Sequence, residues 1–107
     1  MENTGAAPDL PSDGEVEVPV QVRRDGSRYV ATLRGEEVGA SYVREHGDRV
    51  TFTHTEVDPD AEGHGIGSTL VRWALDDVRS RGASVDPQCP FVAAYIRRHP
   101  EYQDLVA

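Results

Sequence analysis

Residues 50–75, VTFTHTEVDPDAEGHGIGSTLVRWAL, constrain the fold more than any other stretch of this chain. Residues 50–57 are rich in β-branched and aromatic side chains, which favour a strand. The glycine-rich segment EGHGIG follows, and an amphipathic helical pattern begins near Ser68. Because glycine has no Cβ, backbone N–H groups in such a loop can approach a ligand closely, and the positive end of the helix dipole points to the same place. The stretch therefore predicts a strand, a phosphate-binding loop and a helix in direct succession.

The spacing of the glycines excludes two common phosphate-binding loops. The glycines at positions 63, 65 and 67 follow the pattern G-x-G-x-G, whereas the dinucleotide fingerprint requires G-x-G-x-x-G. The Walker loop requires a lysine, and all 11 basic residues of the chain are arginine. A glycine-rich turn also occurs where a chain simply bends tightly, so the segments around the loop must decide its function.

Turn residues and hydrophobic periodicity divide the rest of the chain into short elements. Before residue 50, short strands separated by glycine-containing turns are typical of an antiparallel meander. The helix after the loop carries one apolar stripe, and the strand that follows it runs parallel to the fourth strand because a helix connects them. This pattern predicts an α+β fold with a mixed, mostly antiparallel sheet and two main helices. The predicted strands span residues 16–24, 29–33, 38–45, 49–57, 83–86 and 101–106, and the predicted helices run from 65 or 68 to 81 and from 91 to 98.

The beginning of the chain differs from the rest in composition. Residues 1–14, MENTGAAPDLPSDG, combine glycine, proline, alanine and acids without periodicity. Such a segment has too little apolar surface to offset the entropy of ordering it. We expect residues 1–14 to form a disordered acidic tail and residues 15–107 to form one domain.

The formal net charge of −8, with 19 acidic and 11 basic residues, narrows the range of partners. An acidic surface disfavours nucleic acids and anionic membranes and suits a cationic substrate such as an amine. No apolar run reaches the ~20 residues of a membrane span, and the N-terminus lacks a signal pattern. The single cysteine, Cys89, excludes an intramolecular disulfide. We therefore expect a cytoplasmic protein without nucleic-acid or membrane partners, as a monomer or weak homodimer.

Several ordered motifs resemble one known family. The loop has the shape [Q/R]-x-x-G-x-[G/A], with Gly65 and Gly67 as its glycines. This shape resembles the motif that binds the CoA pyrophosphate in the GNAT N-acetyltransferase superfamily. The segments HTEV at 54–57, CPFVAAYI at 89–96 and HPEY at 99–102 are similar to its small, single-domain, YjdJ-type members, which have a cysteine near the active site. The resemblance covers residues 29–106 and implies a minimal GNAT fold.

The resemblance implies a binding site for acetyl-CoA, which would be the co-substrate, in a cleft between splayed fourth and fifth strands. The acceptor would be a small-molecule or peptide amine, and no metal is implied. Glu62 departs from the motif, which has glutamine or arginine at this position, and its carboxylate is unfavourable near a pyrophosphate. The backbone of Glu56 and Val57 would pair with the pantetheine arm, and Cys89 would lie near the acetyl group. The pyrophosphate would be held by the loop and the helix start, at Gly63, His64, Gly65, Ile66, Gly67 and Ser68.

Cys89 is a candidate nucleophile. It directly precedes Pro90, at the predicted start of the second helix, where the helix dipole favours a thiolate. A thiolate there can accept the acetyl group and pass it to the amine. The structural alternative is a partly buried cysteine that acts as a small apolar side chain beside CoA.

Three further residues are candidate acids and bases. His54 and Glu56 alternate along the fourth strand, so we expect both on the face shared with Val50 and Phe52, where either can act as general base. The alternatives are a hydrogen-bonded structural histidine and a solvated glutamate. By resemblance, Tyr95 would protonate the departing CoA thiolate; otherwise it is a core residue. The four histidines show no metal-ligand spacing with Cys89.

The sequence leaves three functions open. The first is an acetyl-CoA-dependent N-acetyltransferase, using base-assisted direct transfer or an acetyl-enzyme at Cys89. The second is an acyl-CoA-binding or regulatory module without transfer activity, which the small size and Glu62 favour. The third is an interaction domain in which the glycine loop is only a turn, and this reading requires that CoA does not bind.

Overall fold

The computed structural model describes residues 19–107. The expected tail at residues 1–14, and the start of the predicted first strand, lie outside the described residues. Within them, five strands and two α-helices alternate with two 3₁₀ helices. The strands are β1 (Val20–Asp25), β2 (Arg28–Leu33), β3 (Glu36–His46), β4 (Arg49–Val57) and β5 (Ser84–Pro87); the helices are α1 (Ile66–Ser80) and α2 (Pro90–Arg98), with 3₁₀ turns at Pro59–Ala61 and Pro100–Leu105.

The sheet has the order β1-β2-β3-β4-β5. The first four strands form the antiparallel meander that the turn residues predict, and β5 is parallel to β4 because α1 connects them. This arrangement confirms the predicted α+β class and the mixed sheet. The β4–β5 pairing begins at Arg49↔Ser84 and ends at Phe52↔Pro87, while β4 continues to Val57. The second half of β4 therefore has a partner only on its β3 side.

A β-bulge in β4 changes which side chains face the core. Tyr42 pairs with His54 and the next residue of β3 pairs with Phe52, so Thr53 is the extra residue. One extra residue shifts the two-residue alternation of a strand. Phe52 is fully buried in the core, whereas His54 and Glu56 are exposed on the opposite face. The expectation that His54 and Glu56 share a face with Val50 and Phe52 is therefore wrong, and the bulge is the reason.

Both helices pack on the same face of the sheet and share one hydrophobic core. The predicted stripe of α1 is confirmed, since its apolar residues are almost completely buried while Trp73 covers the margin at 39% exposure. Gly82 ends this helix with a φ of +70°. The opposite face of the sheet carries no helix in the described part of the chain. The buried α1 residues are Ile66, Leu70, Val71, Ala74, Leu75 and Val78.

Tyr29 joins α1 to the sheet. Its ring stacks on Phe52 with a centroid distance of 6.2 Å, and its hydroxyl donates a 2.7 Å hydrogen bond to Asp77. The Arg81 guanidinium donates a hydrogen bond to the same hydroxyl at 3.1 Å, and its Nε lies 3.3 Å from the Asp77 carboxylate in an ion pair. The polar groups of these three side chains thus pair with one another beside the apolar core. This pairing holds the C-terminal half of α1 against the meander.

The C-terminal segment differs from its prediction. Residues 101–106 were expected to form a strand, but Pro100–Leu105 is a 3₁₀ helix, and only Val106 forms an isolated parallel bridge, with Val85. Proline fixes φ in the helical range at the start of this turn. The Tyr102 hydroxyl then donates to the Asp76 carboxylate at 2.7 Å, so the segment packs on α1 instead of lengthening the sheet.

The raised pKa values of two buried tyrosines predict that the protein loses stability at alkaline pH. Burial and the hydrogen bond to Asp77 raise the pKa of Tyr29 to about 12, and burial and Asp76 raise the pKa of Tyr102 further above its usual value. The neutral phenols stabilise the fold fully below the unfolded-state pKa of about 10, and this contribution is lost as the pH rises through the folded-state values. Urea unfolding should show a falling free energy of unfolding above about pH 10.

The control is the double variant Tyr29→Phe/Tyr102→Phe, in which most of this alkaline dependence should disappear although the protein is less stable. Absorbance at alkaline pH provides an independent check on the native protein. Titration of all four tyrosines together near pH 10, without unfolding, would contradict the assignment.

Candidate active site

The site is organised by the half of β4 that β5 leaves unpaired. The backbone N–H of Cys89 donates to the carbonyl of Phe52 at 2.8 Å, and the chain then turns away into α2. At the far end of β4, the N–H of Asp58 donates to the carbonyl of Val38 at 2.8 Å. Because backbone groups alternate in direction along a strand, those of Thr55 and Val57 point away from β3. They form an open strand edge where a ligand with amide groups can pair.

A cavity of about 360 Å³ lies beside this edge. Its wall joins the strand edge to the glycine loop and to the start of α2. The lining residues are Thr55, Glu56, Val57, Glu62, Gly63 and Phe91. The strand and the loop that the sequence singled out therefore face one space, which matches the splayed cleft implied by the family resemblance.

The glycine loop presents free backbone N–H groups to the same region. Helix α1 begins at Ile66, and Gly65 before it has a left-handed φ of 74°. The first bond of the helix runs from the Thr69 N–H to the Gly65 carbonyl at 3.0 Å, and no described side chain caps the helix. The N–H groups of residues 65–68 therefore converge at the positive end of the dipole, an arrangement that binds anions. The predicted starts at 65 and 68 bracket the observed one.

Gly67 allows close packing between the two helices. A Cβ built at this position would lie 2.7 Å from the tip of the Phe91 ring, so only glycine lets the ring rest on the first turn of α1. Phe91 is 41% exposed and also lines the cavity. The sequence analysis did not identify Phe91 as a site residue; its position right after the Cys-Pro start of α2 was the available signal.

Cys89 lies behind the cavity wall. It occupies the N-cap position of α2, as predicted, and is 3% exposed. Its Sγ donates a hydrogen bond to the Thr55 hydroxyl at 3.4 Å, and that hydroxyl is 2.8 Å from the hydroxyl of Ser41. Thr55, which the sequence analysis missed, therefore stands between the thiol and the cavity. The bulge turns Thr55 toward the helices, and no local sequence signal reveals that bulge.

His54 and Glu56 form a pair at the rim. The His54 Nε2 lies 3.3 Å from the Glu56 carboxylate, and both side chains are about 60% exposed. His54 stacks on Tyr42 at 6.0 Å, on the face without helices. Glu56 lines the cavity and His54 does not. The structure thus brings Glu56 to the cavity and makes His54 its neighbour.

Three other residues have different surroundings. Tyr95 is buried and stacks on His99 at 3.9 Å, where it lines a separate groove between α1 and α2. His64 and Glu62 are exposed on the loop, and neither side chain has a hydrogen-bonding or ionic partner among residues 19–107. Val57 and Ser68 take up the positions expected at the strand edge and the helix start.

Comparison with known protein families identifies the fold and its family. Residues 28–105 match the model of the GCN5-related N-acetyl-transferase family, which is most of the chain. The chain belongs to this family. Its members use acetyl-CoA, and the described cavity and loop of this GCN5-related N-acetyltransferase domain contain the elements suited to that molecule. No curated protein matches the sequence.

Solved structures support the fold. A GCN5-like protein from Staphylococcus aureus aligns with a TM-score of 0.65 and 16% identity, covering 81% of this chain and 87% of that one. The ribosomal-protein-S18-alanine N-acetyltransferase from Escherichia coli aligns with a TM-score of 0.52 and 22% identity, covering 58% of this chain and 42% of the other. N-acetylglutamate synthase from Neisseria gonorrhoeae, complexed with coenzyme A and N-acetyl-glutamate, aligns at 0.50 and 18% identity, covering 62% of this chain and 18% of the other. These likenesses establish the fold alone.

In residues 19–107, no group of three or more His, Cys, Asp or Glu side chains has the arrangement of a metal site. Neither helix in this part of the chain is long and apolar enough to cross a membrane.

The contact between Gly67 and Phe91 predicts a specific coupling. Alanine is intrinsically better than glycine in a helix by about 0.5–1 kcal/mol, so Gly67→Ala should stabilise a Phe91→Ala background by about that amount. In the native background the new Cβ displaces the ring, and the gain should vanish or reverse. Urea unfolding of the four proteins gives the coupling energy directly, expected at about 1 kcal/mol. Equal stabilisation in both backgrounds would contradict the contact.

Proposed function

We propose that this chain is an acetyl-CoA-dependent N-acetyltransferase that acts on a small-molecule or peptide amine. The observation that carries the proposal is the open edge of β4, which shares a cavity of about 360 Å³ with the glycine loop. We further propose a YjdJ-type, single-domain enzyme that acts in the cytoplasm as a monomer or weak homodimer.

In this proposal, acetyl-CoA is held mainly by backbone groups. The amides of the pantetheine arm pair with the outward-facing backbone groups of Thr55 and Val57, as an added strand would. The pyrophosphate accepts hydrogen bonds from the N–H groups of residues 65–68, with Gly63 and His64 beside it. The chain has no lysine, and the N–H groups at the helix start supply the positive potential that a lysine supplies elsewhere.

The acetyl group is transferred directly in the favoured route. Glu56 belongs to the cavity lining, and its exposed carboxylate takes a proton from the acceptor ammonium at the rim, while the His54 imidazole, 3.3 Å away, orients that carboxylate. The amine nitrogen then attacks the thioester carbon, a C–N bond forms and the C–S bond breaks. The CoA thiolate takes up the second proton from the nitrogen, giving an amide and free CoA thiol. The Thr55 hydroxyl lines the cavity and can donate a hydrogen bond to the charge that develops.

A covalent route through Cys89 is the second mechanism. Its Sγ would attack the thioester carbon, release CoA and then give the acetyl group to the amine. The thiol is 3% exposed and bonded to Thr55, so the Thr55 side chain would have to turn aside before the sulfur could reach the carbonyl. This obstruction favours direct transfer. Tyr95 lines a different groove, and the proposal therefore gives it no role as acid.

Binding of acetyl-CoA is the first test. If the dissociation constant is on the order of 10 μM, ligand at about 1 mM should stabilise the native state by roughly 2.7 kcal/mol. For a domain of this size, the melting temperature should rise by about 10 °C or more. Thermal unfolding with and without acetyl-CoA measures the shift, with adenosine as a control that lacks the pyrophosphate. No shift would overturn the proposed function and leave the glycine loop as a turn.

The two routes predict opposite outcomes for two substitutions. With direct transfer, Cys89→Ala should retain most activity, while Glu56→Gln should lower kcat/KM by about 10²–10⁴-fold, the usual loss for a general base. Glu36→Gln, an exposed carboxylate outside the cavity, is the matched control. Steady-state rates over a panel of amines and intact mass after incubation with acetyl-CoA measure both effects. An acetyl adduct that is absent from Cys89→Ala would decide for the covalent route.

An acyl-CoA-binding or regulatory module without transfer activity is the second candidate function. Three observations favour it: Cys89 is buried, Tyr95 is outside the cavity, and the unpaired Glu62 carboxylate lines the space near the pyrophosphate site. A melting shift with acetyl-CoA, combined with no turnover of any amine in the panel, would support this module over the enzyme.

A further inference from the structure

A second cavity lies where the glycine loop ends and α1 begins. This groove, of about 340 Å³, runs between the first turns of α1 and the end of α2. Arg72 lines it from α1 and Arg98 from the last residue of α2, with the Ser68 and Thr69 side chains at the end nearest the loop. The sequence analysis assigned no role to either arginine.

Both arginines lack a carboxylate partner among residues 19–107, although acids outnumber bases in the chain. Other arginines of the fold are paired; Arg79, for example, makes bonds of 3.0 and 2.9 Å to Asp104. The one carboxylate on the groove wall is that of Glu101, so two guanidinium groups and one acid leave a positive balance there. Like charges that line one cavity repel each other, and an anion between them removes that cost.

The groove is continuous with the pyrophosphate site of the proposed function. Ser68 supplies the last free N–H group of α1, and its side chain lines the groove. The cavity with Thr55 and Glu56 is lined by Glu62 and Gly63, at the beginning of the loop. A ligand that extends from that cavity across the loop therefore reaches Arg72 and Arg98 next.

A stacked pair of aromatic side chains forms one wall of the groove. Tyr95 and His99 stack at 3.9 Å with their planes 15° apart, and the His99 Nδ1–H donates to the Tyr95 carbonyl at 2.8 Å. This bond fixes the imidazole plane and leaves the Nε2 edge without a partner in the described residues. The guanidinium groups of Arg72 and Arg98 line the groove beside this aromatic pair. They suit a phosphate monoester better than a carboxylate, because two guanidinium groups can bind several oxygens of one dianion.

We propose that the groove between α1 and α2 binds the 3′-phosphate of CoA, with Arg72 and Arg98 as the residues that contact it. This inference rests on the proposed function, since it extends the same ligand beyond the pyrophosphate. If it holds, contacts in this groove make the protein bind CoA more tightly than the 3′-dephospho form.

Calorimetric titration with acetyl-CoA and with 3′-dephospho-acetyl-CoA tests this assignment. The native protein should bind acetyl-CoA about tenfold or more tightly than the dephospho form, as expected for charge-assisted hydrogen bonds. Arg72→Gln and Arg98→Gln should each weaken acetyl-CoA binding and leave the dephospho form nearly unchanged. Arg97→Gln is the matched control, because Arg97 is also unpaired, exposed and in the last turn of α2, but outside the groove.

Each result has a distinct meaning. Equal affinity of the native protein for both ligands would overturn the 3′-phosphate assignment and leave the proposed function intact. Equal losses for both ligands in the arginine variants, or the same loss in Arg97→Gln, would also overturn it, since a general charge effect would then explain the data. Failure of the native protein to bind either ligand would overturn the proposed function as well.

Discussion

The hydrogen bond from the Cys89 N–H to the Phe52 carbonyl determines where the sheet opens. It is the last backbone hydrogen bond between β4 and the chain that follows β5, and it lies directly before the bulge at Thr53. Had β5 continued along β4, the backbone groups of Thr55 and Val57 would be satisfied within the sheet, and no edge would remain for a ligand. The same bond sets the N-terminus of α2, and with it the positions of Cys89 and Phe91 beside the cavity.

The absence of lysine gives the two proposed phosphate contacts of this chain a particular form. A lysine is a flexible point charge, whereas a guanidinium presents its donors in a rigid planar fork and backbone N–H groups are held by the chain. The free N–H groups of residues 65–68 are directed by the helix itself. Arg72 and Arg98 lie on the two helices that Gly67 allows to approach each other. Helix packing therefore sets where both proposed anion sites lie.

Turn residues, apolar periodicity and glycine spacing were enough to predict most of the fold. The predictions were wrong where a single residue changes the register of a strand or the type of a helix. The turn residues predicted the meander, the apolar stripe predicted α1, and the glycine spacing predicted the loop. The bulge left no such signal, because threonine occupies every second position from Thr51 to Thr55 without interruption, as in a regular strand. Strict alternation therefore placed His54 and Glu56 on the face of Val50 and Phe52 and overlooked Thr55. The prediction of a strand at residues 101–106 was wrong because Pro100 and the hydrogen bond from Tyr102 to Asp76 stabilise a 3₁₀ helix. Apolar periodicity does not reveal this helix.

The position of Thr55 explains why a cysteine at a helix start need not act as a nucleophile. The dipole at the N-terminus of α2 favours negative charge on Cys89, yet the thiol is buried and donates to a hydroxyl that also contacts Ser41. In this arrangement the dipole polarises the thiol toward Thr55, whose hydroxyl faces the cavity. In the proposed direct transfer, charge that develops on the thioester would be stabilised through Thr55 while the sulfur stays covered. The start of α2 would then contribute to transfer through Thr55, without an acetyl-enzyme.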